Sequence, residues 1–190
     1  MTTFDIFDDA EFRSAFNNAT VHVAKNVAGL PKIKWDDAFR ILDEDVKAGN
    51  LYGQKRYENG GFRILNAMRI PGIADAQKKL LEIFTESNYQ LEVEGRSTHL
   101  YMNITTQDGT YWKLHQDTEN VIFWNIEGKS RWTIYKAGEY LDLENVSDDL
   151  IDVDVILEPG DILYCPYGRP HKVEAITPRF GASLGFGDLK

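Results

Sequence analysis

From Tyr89 onward the chain stops reading as helix and breaks into short runs of β-branched and aromatic residues: "YQLEVEG", "THLYMNITT", "NVIFWNI", "SRWTIY", "VDVIL", "DILYCP", "HKVEAI" and "ASLGFG". Turn residues separate them, in "QDG", "EGK", "EPGD", "PYGRP" and "TPRFG". Short strands at such close spacing are antiparallel, and an antiparallel sheet must hide or close its edges, so this pattern points to a barrel or jelly roll. The first half reads differently. "DDAEFRSAFNNA" (8–19), "WDDAFRILDEDVKAG" (35–49) and "ADAQKKLLEIFTES" (74–87) carry helical periodicity, and "VHVAKN" (21–26) alternates like a short strand. Helices first and strands later predict an α+β chain. We expect one domain over residues 1–190, with 1–88 a mainly helical layer packed on a β core over 89–190.

The 190 residues are enough for one sizeable core, and 43% hydrophobic with 27% charged residues is ordinary for a water-soluble domain. A net charge of −9 repels phosphate, which argues against sequence-independent binding to nucleic acid or to anionic membranes. A basic protein partner fits that charge, and a homodimer is compatible with it. One cysteine, Cys165, has no intrachain partner for a disulfide, which fits a reducing cytoplasm. No run resembles a signal peptide or spans a bilayer. Residues 141–154 carry six carboxylates, read as a solvated loop or as a dock for a basic substrate.

Chemistry concentrates in "WKLHQDTENVIFWNIEGKSRW" (112–132). His115 and Asp117 are two apart, and on a strand residues two apart share a face. Such a pair alone is weak evidence for a metal. A third residue strengthens it: in "LEPGDILYCPYGRPHKVEAI" (157–176), Pro166, Gly168 and Pro170 fix a rigid link into His171, at the start of a strand. His115, Asp117 and His171 make a two-histidine, one-carboxylate set. Such a set covers one face of an octahedron and leaves three positions open, the arrangement of non-haem Fe(II) sites that activate oxygen.

These segments resemble the JmjC-type, cupin-fold 2-oxoglutarate oxygenases, and most closely their ribosomal oxygenase subgroup. That subgroup carries "HYD", a strand ending in "LEG", then a basic residue and "W" before "Y". This chain reads "LYMNITTQDGTYWKLHQD", "NIEGKSRWTIY", "LEPGDILYCPYGRPH" and "SLGFG", a match from about Thr98 to Gly187. The resemblance implies a double-stranded β-helix (cupin or jelly-roll barrel) with helices on its outer face. It also implies Fe(II), 2-oxoglutarate as cosubstrate, O2, and hydroxylation of a protein or peptide side chain. The winged-helix extension of larger ribosomal oxygenases is not expected.

In that subgroup a Lys or Arg fifteen residues after the first metal histidine grips the distal carboxylate of 2-oxoglutarate. Here that position is Ser130, and Lys129 and Arg131 beside it have the parity that points outward. Arg179 is the replacement candidate. It shares a face of the last strand with Gly181, Ser183 and Gly185, and it lies eight residues past His171. Other 2-oxoglutarate oxygenases, including prolyl hydroxylases, are similar in holding the cosubstrate with an Arg some nine residues past the second histidine. Either Arg179 reaches inward, or it sits in an exposed "TPRFG" turn.

Tyr101 and Asn103 share a strand face and are candidate donors to the cosubstrate, with Ser183 beside them. Lys113 shares parity with His115 and is a second candidate carboxylate partner. Cys165 is expected to be a small buried apolar residue, and His22 and His99 to be structural. Phe123, Trp132 and Ser183 are expected inside the barrel, and Trp112, Trp124 and Trp132 to fill it or its mouth. The reading is a 2-oxoglutarate oxygenase. Ser130 keeps open the alternative of a cupin that binds metal or a small ligand without oxygenase activity.

Overall fold

The computed structural model describes residues 9–49, 61–65, 98–106, 110–138, 140, 142–143 and 145–186. The expected helix over 74–87 and the expected strand "YQLEVEG" lie outside the described residues.

Two α-helices and ten strands follow one another along the described chain, with a short 3-10 helix at Asp148–Leu150 between the sixth and seventh strands. They are α1 (Ala10–Asn17), β1 (His22–Ala24), α2 (Trp35–Lys47), β2 (Gly61–Leu65), β3 (Thr98–Asn103) and β4 (Thr110–His115), then β5 (Asn120–Glu127), β6 (Ser130–Tyr135), β7 (Ile151–Leu157), β8 (Ile162–Cys165), β9 (His171–Ala175) and β10 (Arg179–Phe186). The strands form a six-stranded sheet, β1-β8-β5-β10-β3-β2, and a four-stranded sheet, β4-β9-β6-β7. From β3 to β10 the chain switches sheet at every step except β6 to β7, which pair with each other in the four-stranded sheet, the winding of a double-stranded β-helix.

Local chemistry sets the helices. Asp9 caps α1, its Oδ1 accepting from Glu11 N at 2.7 Å and Phe12 N at 3.0 Å, which satisfies two of the free N–H groups of the first turn. Those bonds hold the Asp9 carboxyl below its ordinary value. At α2 the Asp37 carboxylate accepts from Lys34 N at 3.1 Å. Its buried positions Ala38, Ile41 and Asp45 recur at helical spacing on one face. Gly49, at φ +72°, lies just past its end.

The six-stranded sheet is buried on both faces. On β5, Ile122, Trp124 and Ile126 face the helices and share a core with Phe12, Ala15, Ala38 and Ile41. The alternate residues Val121 and Phe123 face the barrel interior with Trp132, Ile134, Leu163, Cys165 and Val173. Double burial turns β5 into the continuous apolar run "VIFW" instead of an alternating one. The four-stranded sheet has one wet face, and β7 alternates accordingly, with exposed Asp152, Asp154 and Ile156 between half-buried valines. On that outer face Arg131 Nε donates to Asp154 Oδ1 at 2.7 Å.

Three expectations need correction. Trp124 was expected in the barrel or its mouth and instead packs under the helices; its neighbour Phe123 points inward, so parity forces Trp124 out. The half before residue 89 carries a second strand that was not expected, β2, paired with β3, beside the expected short strand in 21–26, which is β1 and pairs with β8. Thr110–His115 is a strand that pattern reading passed over, and its pairing to β9 is irregular at two points. The side chain of Trp112 lies outside what is described.

Candidate metal and cosubstrate site

β4 ends at His115 and β9 begins at His171, and the two are register partners across the antiparallel pair. Their rings lie 4.4 Å apart between centroids. Asp117 is held in the turn between β4 and β5 by a clasp of two loops. Gly168 N donates to Asp117 O at 3.2 Å, and Gln116 Nε2 donates to Gly168 O at 2.8 Å. The "PYGRP" link thus positions both His171 and the loop that carries Asp117. Arg169 anchors the link, its Nε donating to Tyr135 O at 2.8 Å and its guanidinium pairing with Asp152.

Both histidines turn the same ring nitrogen toward backbone. His115 Nδ1 is 2.8 Å from Lys113 O, and His171 Nδ1 is 2.9 Å from Arg169 O. A carbonyl only accepts, so each Nδ1 carries the proton and each Nε2 keeps its lone pair. These Nε2 atoms meet Asp117, at 3.7 Å from Oδ1 for His115 and 3.5 Å from Oδ2 for His171. One donor atom from each of the three residues lies within 4.8 Å of the others. A cation with bonds of about 2.0–2.2 Å separates neighbouring donors by about 3 Å, so a small inward adjustment seats one. Burial holds His171 below its ordinary 6.5, with His115 adding to the effect and Asp117 opposing it. The neutral imidazole that results is the form that ligates metal.

The triad opens on a cavity of about 150 Å³ whose walls include Tyr101, Phe123, Trp132, Arg179 and Ser183. Arg179 is 1% exposed, so the sequence alternative of an exposed turn is excluded. Its guanidinium carbon stands 5.6 Å from the centre of the Phe123 ring, a cation–π distance. Gly181 makes that stacking possible: a Cβ there would lie 2.3 Å from Phe123 Cζ and 2.7 Å from Trp124 O. Trp132 stacks on His171, with centroids 5.3 Å apart and planes 19° apart.

Other expected residues fall as follows. Asn103 is buried and pairs in register with Arg179, but it is not part of the cavity wall. Lys113 is exposed and lies outside the cavity, a correction; the pairing irregularity between Trp112 and His115 breaks the parity that would have turned it inward. Lys129 pairs with Glu158 outside the barrel. Ser130 is buried, and its hydroxyl donates to Asn125 Oδ1 at 3.0 Å. Cys165 is buried 3.9 Å from His171 Nδ1, and burial pushes its thiol up to about 12. His22 meets the edge of Phe12. His99 borders a second, polar cavity of about 180 Å³ that shares Tyr101, Asp117 and Ser183 with the first. Sequence reading missed the loop clasp through Gln116 and Arg169. The closeness of Arg169 to His171 in "GRPH" was the available signal.

Comparison with known proteins agrees with this architecture. The chain is 27% identical over 134 residues to the bifunctional lysine-specific demethylase and histidyl-hydroxylase NO66 of Aedes aegypti, covering 63% of this chain and 19% of that protein. It is 36% identical over 81 residues to the ribosomal protein uL16 3-hydroxylase of Escherichia coli (strain K12), covering 38% and 21%. The chain thus spans about a fifth of the length of these curated relatives. The crystal structure of E. coli ycfD superposes with a TM-score of 0.61 at 17% identity, over 94% of this chain and 53% of that one. A structure of the same ribosomal oxygenase with cobalt and 2-oxoglutarate gives 0.52 at 18% identity, over 90% and 48%. At such identity the superposition speaks for the fold, and the family rests on sequence. The JmjC domain model matches residues 80–189, more than half of the chain, and the chain belongs to the JmjC domain family.

Proposed function

We propose that this chain is an Fe(II)- and 2-oxoglutarate-dependent oxygenase that hydroxylates a side chain of a protein or peptide. The observation that carries the reading is the shared cavity: three metal-type donors at one end and a buried arginine on its wall. Two imidazoles and one carboxylate suit Fe(II). A guanidinium on the cavity wall can meet a carboxylate with two parallel hydrogen bonds. When bound, Fe(II) would activate O2, the oxidant, for C–H hydroxylation, with oxidative decarboxylation of 2-oxoglutarate supplying the other two electrons. The relatives' names, a demethylase and histidyl-hydroxylase and a ribosomal protein hydroxylase, support a protein substrate.

The chain's own residues have separate tasks in this reading. His115, Asp117 and His171 are the metal ligands. Arg179 holds the distal carboxylate that a Lys or Arg at position 130 holds in the resembling subgroup, and Tyr101 and Ser183 are hydroxyl donors on the same wall. Phe123, Val121 and Val173 exclude water, which strengthens every charge interaction inside. Asn103, buried and in register with Arg179 on the neighbouring strand, is a further candidate contact to the cosubstrate. The shared core of α1, α2 and the barrel supports reading them as one domain. No helix among the described residues is long and apolar enough to cross a membrane.

Ser130 is the observation that favours the second reading, a metal-binding cupin without oxygenase activity. Anaerobic titration separates the two. Fe(II) and 2-oxoglutarate together should produce the visible metal-to-ligand charge-transfer band. Fe(II) binding without that band would leave the non-oxygenase cupin.

A further inference from the structure

We infer that the Trp132 indole N–H is a hydrogen-bond donor to the carboxylate ligand held between the metal triad and Arg179, an inference that rests on the cosubstrate reading above. Trp132 is 4% exposed, and its Nε1 has no acceptor among the described residues. A buried indole N–H nearly always finds a partner, because water is lost on burial and only an acceptor replaces it. The protein neighbours offer none. Across the sheet Trp132 pairs with Val155 on one side and Val173 on the other. On its own strand face stand Ile134 and Ser130, and the Ser130 hydroxyl, which donates to Asn125, is out of hydrogen-bond reach of the indole.

The second observation is where this side chain lies. Trp132 borders the same cavity as His115, His171 and Arg179. It stacks on His171 on one side and stands 5.0 Å from the Phe123 ring on another, the ring that Arg179 covers. The four side chains therefore run in sequence: metal histidine, indole, phenyl ring, guanidinium. A ligand that spans the triad and Arg179 passes the indole. If packing were the only demand, a phenyl ring like that of Phe123 would meet it. The polar edge adds a buried donor at the wall of a cavity that would seat an oxygen-rich, anionic molecule. It also gives β6 a polar contribution to the site, which Ser130 does not make by charge.

The test uses the whole chain loaded with Zn(II), which is diamagnetic, and labelled with 15N at tryptophan. The Trp132 indole resonance is assigned by its loss in Trp132→Phe, or by elimination with Trp35→Phe, Trp112→Phe and Trp124→Phe. On saturation with 2-oxoglutarate the Trp132 Nε1–H should move downfield and exchange more slowly with solvent. Trp132→Phe keeps the stacked ring and should weaken 2-oxoglutarate binding by about tenfold, the usual scale for one hydrogen bond to a charged acceptor, with Zn(II) affinity unchanged. A resonance that stays put in the saturated protein overturns the inference and leaves the cosubstrate reading standing, as does wild-type binding by a folded Trp132→Phe. Failure of the wild-type chain to bind 2-oxoglutarate at all overturns both.

Discussion

His115 and His171 each commit Nδ1 to a backbone carbonyl two residues upstream, and so present Nε2 to Asp117 before any metal arrives. Removing one ligand should therefore cost more than loosening a supporting contact, which typically costs about 10–100-fold in metal affinity. His115→Ala should abolish tight Mn(II) binding in calorimetry and leave the far-ultraviolet circular dichroism of the barrel unchanged. Mn(II) binding at wild-type strength would remove His115 from the site. In the proposed reading, Arg179 separates metal binding from cosubstrate binding. Arg179→Ala should weaken 2-oxoglutarate binding by about 2–5 kcal/mol, the cost of deleting one partner of a buried charge pair, while Mn(II) affinity stays nearly constant. Equal loss of both would mean that Arg179 supports the fold and not the ligand. At this scale the grouping of the three residues was legible from spacing, but strand parity is not what brings them together: His115 and His171 meet as register partners at strand ends, and Asp117 reaches them from the turn after β4. Lys113 was misread because an irregular strand pairing breaks parity, which composition does not record. The orphan indole of Trp132 was illegible for another reason: parity gives a side chain's face, but satisfaction depends on what lies opposite in space.

Among the elements, β5 and β10 were the easiest to read and are the most constrained, since both faces of each are packed. Trp124 joins the core under α1 and α2 and is 2% exposed. Trp124→Ala should lower unfolding free energy by about 3–5 kcal/mol, the range for deleting a large buried aromatic. A loss under 1 kcal/mol, read by urea denaturation, would mean the helices do not depend on that contact. On β10, Gly181→Ala puts a methyl group against the Trp124 carbonyl and the Phe123 ring. Overpacking of this kind costs about 1–3 kcal/mol, and here it should also disturb 2-oxoglutarate binding, because Phe123 carries Arg179. The outer face of the four-stranded sheet behaves differently. The Arg131 guanidinium holds the Asp154 carboxyl below its ordinary 3.8. A carboxyl lowered in the folded state adds stability above its unfolded value, and that stability is lost as pH falls through the folded value. Asp154→Asn should thus be less stable than wild type at neutral pH, with the gap closing well below pH 3.8. A gap that persists in acid would assign the effect to packing. The elements that pattern reading missed are the ones with weak signals. β2 is five residues at the sheet margin, and β4 has two pairing irregularities in six residues.

Taken as a whole, the molecule divides its site between two sheets. The four-stranded sheet supplies His115 and His171 from β4 and β9, and the six-stranded sheet supplies Tyr101 from β3 and Arg179 and Ser183 from β10. The general plan, helices over a two-sheet barrel, was legible because antiparallel strands must close their edges. Which sheet carries which half of the site was not, since it follows from pairing between strands far apart in sequence. This division has a thermodynamic consequence. A metal ion held by His115, Asp117 and His171 would touch only β4, β9 and the loop of Asp117, and so would tie one sheet to itself. A 2-oxoglutarate anchored on the metal and on Arg179 ties the two sheets together. A ligand that binds only the folded state at a hundred times its dissociation constant adds about 2.7 kcal/mol. For a chain of this size that corresponds to roughly 5–10 °C in melting temperature, at about 2–4 °C per kcal/mol. Mn(II) alone should therefore raise the melting temperature and slow amide exchange in β4 and β9. Adding 2-oxoglutarate should raise it again and extend protection to β3 and β10, and without metal it should do neither. In Arg179→Ala the first step should remain and the second should disappear. Protection of β10 by Mn(II) alone, or by 2-oxoglutarate without metal, would contradict a cosubstrate that bridges the sheets.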